Sequence, residues 1–243
     1  MINPIIAISN HKGGPGKTTS TYWLARHFSA MGLCPVCIDL DSQGSLTRRM
    51  GGKVDHINAT GDVLAGRTEL LTAMQPFEAD PNIGLVGTDI KINETATYIQ
   101  GRSPNHNYLQ RALRDQRNKI RGPILIDCPP SADILVVNAL VAADYLLIPV
   151  DPCEEAIEGM RRMVAMANEL IELLGKGPTV LGSIITKVNA DTVEHRKYCD
   201  IIAGPGQPTV LGRTPLRQGV TAQRQIGAAY ADIAHAIMDR IGG

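Results

Sequence analysis

Residues 11–19 constrain the fold of this chain more than any other segment. They read His-Lys-Gly-Gly-Pro-Gly-Lys-Thr-Thr, follow the apolar run Ile5–Ser9 and open a helical pattern over Thr18–Met31. Glycines let backbone N–H groups approach phosphate oxygens, and the amino end of the following helix adds a favourable dipole. A strand, a glycine-rich turn ending in Gly-Lys-Thr and a helix therefore predict a loop that binds the phosphates of a nucleotide.

Short β-branched runs alternate with longer helical patterns along the rest of the chain. The further predicted strands are Val36–Leu40, Ile124–Asp127, Tyr145–Val150, Val180–Val188 and about 209–211, and the further helices are Ala132–Ala143, Glu154–Leu174, about 192–203 and about 223–241. Such alternation predicts βαβ units, and continuous apolar strands indicate helices on both faces of the sheet. Residues 51–82, rich in Gly and Pro, predict short helices and loops beside the nucleotide site.

We therefore expect an α/β fold: a single P-loop NTPase domain over residues 1–243, with a mostly parallel twisted sheet and helices on both faces. Because the phosphate loop begins within twelve residues of the start, we expect no N-terminal helix-turn-helix domain. Residues 1–10 carry no basic leader, and the five cysteines are an odd number, so we expect a cytoplasmic protein with reduced thiols. Cys37, in an apolar run, is expected in the core rather than on a metal.

Three segments together resemble the deviant Walker A ATPases, the class that includes ParA, Soj and MinD. In the phosphate loop, Lys12 stands where an ordinary loop has its first glycine. Val36–Thr47 is similar to that class's Asp-x-Asp-Pro-Gln-Gly switch segment, with Ser42 in place of proline. Ile124–Ser131 is an apolar strand running into Asp-Cys-Pro-Pro-Ser, which is typical of the ParA branch. The resemblance covers nearly the whole chain.

The loop pattern itself assigns Lys17 to the β- and γ-phosphates and Thr18 to Mg²⁺, and Asp127 at a strand end suits a Walker B acid that holds a water on the metal. The resemblance implies that Asp41 orients the attacking water, with Asp39 close to the metal. It also implies that Lys12 reaches the phosphates of a second copy, so that ATP creates a sandwich homodimer. The expected nucleotide contacts are Gly13, Gly14, Pro15, Gly16, Lys17, Thr18 and Thr19 in the loop, and, by resemblance, Asn189 and Pro215 at the adenine. ATP is preferred over GTP on resemblance alone.

The 24 Lys and Arg residues balance the 24 Asp and Glu residues, which argues against a surface that is basic throughout but leaves room for a local patch. Residues 102–121 are basic and residues 151–172 acidic, and solvated helix faces explain both simply. The resemblance implies nonspecific double-stranded DNA as a partner in the ATP state, which would place the protein on the nucleoid. It also implies a ParB-like or other adaptor that stimulates hydrolysis. The candidate DNA contacts are Arg196, Lys197, Arg213, Arg217 and Arg224, whereas Gly219 lies where a basic residue would align.

Two other functions stay open on the sequence. The first is a MinD-like positioning ATPase that acts on a membrane or another non-DNA surface. It needs a basic amphipathic C-terminal helix, whereas residues 232–243 carry two Asp and one Arg, so we expect no membrane partner. The second is an iron–sulfur relative, suggested only by Cys128 beside Asp127.

Overall fold

The computed structural model describes residues 3–54, 58–216 and 220–242, with side chains described outside 220–222. The strands are β1 Ile5–Ile8, β2 Val36–Asp39, β3 Gln75–Phe77, β4 Asp80–Val86, β5 Ile124–Asp127, β6 Tyr145–Val150, β7 Thr179–Val188 and β8 Val210–Pro215. The helices are α1 Lys17–Ala30, α2 Ser45–Arg49, α3 Thr60–Leu64, α4 Leu70–Ala73, α5 Ile92–Gln100, α6 Tyr108–Arg114, α7 Ile134–Ala142, α8 Glu154–Leu174, α9 Val193–Ile202 and α10 Val220–Gly242, with a 3₁₀ turn at Arg117–Lys119.

All eight strands form one sheet in the order β3-β4-β2-β5-β1-β6-β7-β8. Every neighbouring pair is parallel except β3 with β4, which is antiparallel. The predicted α/β class with a mostly parallel sheet is confirmed, and the strands before and after the phosphate loop lie where the sequence placed them.

Side chains alternate between two hydrophobic layers along the central strands. In β1, Ile5 and Ala7 face one layer, while Ile6 and Ile8 face the other. The first layer is covered by α3 to α9, and the second by α1, α2 and α10. Because both faces are covered, the strands tolerate the unbroken apolar runs seen in the sequence.

Residues 51–82 differ from expectation. Two short helices, α3 and α4, lie there as predicted, but the segment also contains β3 and the start of β4, which form one edge of the sheet. Pro and Gly interrupt the apolar pattern of these strands, so the sequence did not predict them. A Cβ at Gly84 within β4 would lie 2.5 Å from the Met74 sulfur, so the Met74 side chain would have to move. This contact joins two elements and leaves no local strand pattern.

The carboxyl ends of the parallel strands meet at one edge of the sheet, where open α/β folds bind their ligands. The phosphate loop after β1, the acidic segments after β2 and β5, and the ends of β7 and β8 all lie at this edge. Within the described residues, no helix is both long and apolar enough to cross a bilayer.

Candidate nucleotide-binding site

The glycine-rich loop between β1 and α1 folds as a tight turn. Gly14 and Gly16 have φ angles of 84° and 92°, in the left-handed region that favours glycine. Gly16 directly precedes α1, so the free N–H groups of the first helical turn face the loop. From outside, the Thr186 hydroxyl at the end of β7 donates to the Pro15 carbonyl at 2.7 Å. Because the carbonyl and the next N–H point in opposite directions across a peptide plane, this bond turns the Gly16 N–H inward.

Lys17 opens α1 and bends back over the loop. Its side-chain nitrogen donates to the Lys12 carbonyl at 2.9 Å and to the Asn10 carbonyl at 3.3 Å. The residue is only 6% exposed, and this burial lowers the pKa of the ammonium, against the opposing charge of Asp127. Hydrogen bonds from an ammonium to an anionic oxygen are stronger than those to a carbonyl oxygen, so a phosphate would replace these carbonyls as the partner of Lys17.

Asp39 ends β2 and Asp127 ends β5, at paired register positions of neighbouring strands. Both side chains are fully buried. Burial raises the pKa of Asp39 to about 6, and burial together with the Asp39 charge raises the pKa of Asp127 well above its ordinary value. Two buried carboxylates at the loop form a strongly negative centre.

The two carboxylates differ in their hydrogen bonds. Asp39 accepts from the Thr47 backbone at 2.9 Å, from the Thr47 hydroxyl at 2.7 Å and from the Asp41 backbone at 3.1 Å. Asp127 accepts through Oδ1 from the Thr21 hydroxyl at 3.4 Å, whereas its Oδ2 is buried and has no hydrogen-bond partner among the described residues. The Thr18 hydroxyl and the Lys17 ammonium both act to lower the pKa of Asp127. This free oxygen, with oxygen donors beside it, suits a hard cation such as Mg²⁺.

Asp41 lies just past the end of β2 and is partly exposed at the mouth of the site. Its Oδ1 accepts the Gln43 backbone N–H at 3.0 Å, which shapes the turn into α2. Thr47 on α2 also accepts from the Thr88 backbone at 3.0 Å. One threonine thus joins Asp39 to the segment after β4, a connection that the sequence pattern did not reveal.

Lys12 lies at the mouth of the loop and turns towards the segment between β6 and α8. Its side-chain nitrogen is 2.8 Å from the Cys153 sulfur, 3.5 Å from Asp151 Oδ2 and 3.8 Å from Glu155 Oε2. Burial acts to lower the pKa of Lys12, but the Cys153 hydrogen bond and the Asp151 charge outweigh it and raise the pKa. In the single chain Lys12 thus contacts a thiol and two carboxylates, and the sequence pattern did not indicate these contacts.

Asn10 is a site residue that sequence reasoning missed. It is fully buried, and its amide donates to the carbonyls of Pro149 at 2.8 Å and Ala156 at 3.2 Å. Its Oδ1 accepts the Lys12 backbone N–H at 3.1 Å. A Cβ at Gly159 would lie 2.2 Å from that oxygen. The available signal was a polar residue directly after the apolar run Ile5–Ser9.

The adenine candidates lie at the ends of β7 and β8. Val188 pairs with Pro215 in the sheet, which brings Asn189 beside Pro215. The Asn189 backbone N–H donates to His195 Nδ1 at 3.2 Å. The two residues therefore share the edge of the sheet that carries the phosphate loop.

The basic candidates fall on three elements and one undescribed segment. Arg196 and Lys197 are exposed on α9, beside a shallow groove of about 740 Å³. Arg213 on β8 is exposed, and its charge opposes the burial that raises the pKa of Cys199 on α9. Arg224 is exposed on α10, whereas Arg217 lies outside the described residues, as does Gly219.

Sequence comparison places the chain in a family. A family model described as an AAA domain matches residues 3–176. The chromosome partitioning protein ParA of Caulobacter vibrioides is 32% identical over 189 residues, which cover 75% of this chain and 68% of that protein.

Solved structures give the same fold at lower identity. A cobyrinic acid a,c-diamide synthase from Mycobacterium smegmatis, with a bound ATP analog and magnesium, superposes with a TM-score of 0.89 at 23% identity and covers 100% of this chain and 97% of that one. An ATP complex of McdA from Cyanothece superposes with a TM-score of 0.88 at 17% identity, covering 99% and 97%.

The parallel sheet, the loop between β1 and α1 and the acidic strand ends define a P-loop nucleotide-binding protein. With the family match over residues 3–176 and the identity to ParA, the chain belongs to the ParA/Soj family of partitioning ATPases.

Proposed function

We propose that this protein is a ParA-type ATPase that dimerises on binding ATP, binds DNA without sequence preference in that state, and hydrolyses ATP to ADP and phosphate when an adaptor stimulates it. It would use this cycle in the cytoplasm, on the nucleoid, to segregate a plasmid or chromosome or to position other cargo. The observation that carries the proposal is the placement of two lysines on one loop, Lys17 inside it and Lys12 at its mouth.

The triphosphate is bound by the loop and the first turn of α1. The backbone N–H groups of residues 13–19 that are not proline supply donors, and Lys17 moves from the carbonyls of Asn10 and Lys12 to the β- and γ-phosphates. Asn189 and Pro215 flank the adenine.

Mg²⁺ fits the residues present. The Thr18 hydroxyl and Asp127 Oδ2, which has no hydrogen-bond partner in the part of the chain that the structure describes, would hold it, the latter through a water, and Asp39 would act from the neighbouring strand. When bound, the cation neutralises charge on the phosphates. Its charge also relieves the repulsion between the two buried carboxylates, so nucleotide binding and local stability are linked.

Asp41 would orient the attacking water. It lies at the mouth of the site, is partly exposed and precedes α2, whose Thr47 holds Asp39. Water orientation by one carboxylate, with positive charge supplied around the γ-phosphate, is the general requirement of phosphoryl transfer.

Lys12 supplies a charge to the second copy. In the single chain it contacts Asp151 and Glu155, at 20% and 74% side-chain exposure. These partly solvated ion pairs are weak, so a partner's triphosphate, with several negative charges, displaces them readily. A cation supplied in trans offsets charge that develops on the γ-phosphoryl group. Loss of that phosphate on hydrolysis then lets the dimer part.

Arg196, Lys197 and Arg213 form the proposed DNA surface, with Arg224 on α10 and Arg217 in the undescribed segment. Each arginine or lysine that neutralises a DNA phosphate releases a counterion, so affinity falls steeply with salt. A dimer doubles the number of such contacts, which makes ATP the switch for DNA affinity.

The test is binding to a random-sequence duplex at about 50 mM and about 300 mM salt, with ATP, with ADP and without nucleotide. We expect a complex with ATP at low salt that is lost at high salt, and none with ADP. If ATP-loaded protein leaves the duplex unbound at the lower salt concentration, the DNA-binding step is wrong.

The membrane alternative has a structural argument against it. Ile233 and Ile237, on the apolar face of α10, are 1% and 0% exposed because they pack into the layer shared with α1. The Tyr230 hydroxyl, 2.7 Å from Ser20 Oγ, also ties α10 to α1. We expect no sedimentation with anionic liposomes in the presence of ATP; cosedimentation would favour the MinD-like alternative.

A further inference from the structure

Arg49, on the short helix α2, lies against the first turn of α1. Its side chain is half-buried; Nη1 donates to the Thr19 hydroxyl at 3.1 Å, and Nη2 donates to Gln223 Oε1 on α10 at 3.1 Å. The guanidinium carbon lies 4.4 Å from the centre of the Tyr22 ring. Residues of α1 and α10 thus hold the charge of Arg49 beside the phosphate loop.

The Arg49 charge has no carboxylate partner in this position. Among the described residues, no carboxylate oxygen lies within 4.0 Å of its guanidinium, whereas Arg67, Arg117 and Arg162 each pair with one. Burial lowers the pKa of Arg49, because a cation is removed from water without an opposite charge beside it. A guanidinium has five N–H donors, and the two printed bonds of Arg49 go to a neutral hydroxyl and a neutral amide. An anion at this place would offset the cost of burying the charge.

Thr19 brings this cation to the phosphate-binding end of α1. The intrahelical bonds of α1 begin with the Ser20 N–H, which donates to the Gly16 carbonyl at 2.8 Å, so the Thr19 N–H has no acceptor within the helix. Side chains of an α-helix tilt towards its amino end, which displaces the Thr19 hydroxyl towards the end where this N–H is free to bind a ligand. A phosphate oxygen that accepts the Thr19 N–H would therefore lie beside a guanidinium that already contacts the same residue.

The α-phosphate is the one that lacks a side-chain cation in the proposed site. Lys17 would bind the β- and γ-phosphates, Thr18 the magnesium ion, and Lys12 the phosphates of a second copy. The backbone N–H groups of such a loop and its helix bind the α- and β-phosphates. Of the three phosphates, the α-phosphate is thus the one left for Arg49.

A purely structural brace explains Arg49 less well. Arg26 already lies over the same Tyr22 ring, at 5.9 Å, and donates to the Tyr22 hydroxyl at 3.2 Å. An apolar side chain at position 49 would pack on this ring without removing a charge from water. An arginine there instead adds a positive charge next to a loop that binds anions.

We propose that Arg49 binds an α-phosphate oxygen of the nucleotide, beside the Thr19 N–H. The inference rests on the proposed nucleotide binding. It makes two specific demands. The contribution of Arg49 must be equal for ADP and for a triphosphate, because both carry the α-phosphate, and it must respond to a chemical change at the α-phosphate.

The first test is calorimetric titration with ADP and with ATPγS, each with Mg²⁺. We expect Arg49→Met to weaken binding of both nucleotides about tenfold, as for loss of one charge-assisted hydrogen bond. Lys12 is proposed to act on a triphosphate alone, so an equal loss separates the two cations. Arg26→Met is the matched control, because it removes an arginine from the same ring about 10 Å further along α1. It should bind both nucleotides as wild type does.

The second test uses the two diastereomers of ADPαS, in which sulfur replaces one or the other α-phosphate oxygen. Sulfur is a weaker hydrogen-bond acceptor than oxygen, so the isomer with sulfur towards Arg49 should bind less tightly than the other. We expect the ratio of the two affinities to change by about threefold or more between wild type and Arg49→Met. A structural role would weaken both isomers together and leave the ratio unchanged. Arg49→Gln, which keeps a polar side chain without the charge, should change the ratio in the same way and serves if the methionine variant does not fold.

The inference is overturned if Arg49→Met binds ADP as wild type does, if only ATPγS loses affinity, or if the ADPαS ratio is the same in wild type and the Arg49 variants. It is also overturned if Arg26→Met loses as much affinity as Arg49→Met, since packing on Tyr22 would then explain the loss. Failure of the wild-type protein itself to bind ADP and ATPγS would instead contradict the proposed function, so the two failures are distinguishable.

Discussion

Asp39 and Asp127 occupy paired register positions at the carboxyl ends of β2 and β5, and neither side chain has measurable exposure to solvent. Burying two carboxylates on adjacent strands is unfavourable without a compensating cation, since desolvation and like charge both penalise the ionised forms. We therefore expect a cation to bind at this part of the sheet edge.

The first prediction is that Asp127→Asn stabilises the nucleotide-free protein but removes the Mg²⁺ dependence of ATPγS binding. Without nucleotide it removes a buried carboxylate and should raise the free energy of unfolding by about 1 kcal/mol, or the midpoint by about 2–4 °C. Binding of ATPγS should lose its dependence on Mg²⁺. Thermal denaturation and titration with and without Mg²⁺ measure both. The exposed Asp239→Asn serves as control and should change neither; a destabilised Asp127→Asn protein would contradict the account.

The second prediction concerns pH. The folded protein holds the Asp39 proton more tightly than the unfolded chain does, because burial raises its pKa to about 6. This contribution to stability is complete below about pH 4, the ordinary pKa of Asp, and is lost as pH rises through about 6. Asp39→Asn should therefore gain on wild type by up to about 3 kcal/mol between about pH 4 and about pH 7.5 in urea denaturation without nucleotide. A pH-independent difference would show that Asp39 is not the titrating group.

The third prediction tests the contact beneath the loop. Gly159→Ala places a methyl group 2.2 Å from Asn10 Oδ1, which holds the Lys12 backbone. We expect a loss of about 1–3 kcal/mol in stability, as for overpacking, and weaker binding of ATPγS. Gly101→Ala is the matched control, because its Cβ would have 3.8 Å of clearance and its φ is −75°. Equal stability of the two variants would remove Asn10 from the site's support.

The fourth prediction tests the DNA surface. Replacing Arg196 and Lys197 with alanine should weaken duplex binding by a similar factor for all sequences and reduce the salt slope by about 1 to 2 per chain. ATPγS affinity should not change. The control is Arg161→Ala with Arg162→Ala on the acidic helix α8, which should leave both measurements as in wild type. An unchanged salt slope in the α9 variant would place the DNA contacts elsewhere.

The sequence predicted those parts of the site whose chemistry is local. The loop, Asp127 and the run from Asp39 to Asp41 are contiguous patterns at strand ends, and the central strands follow from hydrophobic runs. The strands at residues 75–77 and 80–86 were missed because Pro and Gly interrupt them.

The contacts that support the site were beyond sequence reasoning because they join distant parts of the chain. Asn10 lies against Gly159, and Thr186 contacts Pro15 across 171 positions, and nothing near either residue in the sequence indicates its partner. The acidic contacts of Lys12 are of the same kind, since they depend on how the β6–α8 segment is placed beside the loop.

The most direct test of the central claim is the mass of the protein in solution, by light scattering, with ATPγS and Mg²⁺ and with ADP and Mg²⁺. Wild type and the control Lys176→Ala should double in mass with ATPγS only, because Lys12 is then supplied across the dimer. Lys12→Ala should remain a single chain with either nucleotide, while still binding ATPγS through Lys17. A Lys12→Ala protein that dimerises like wild type would contradict the account.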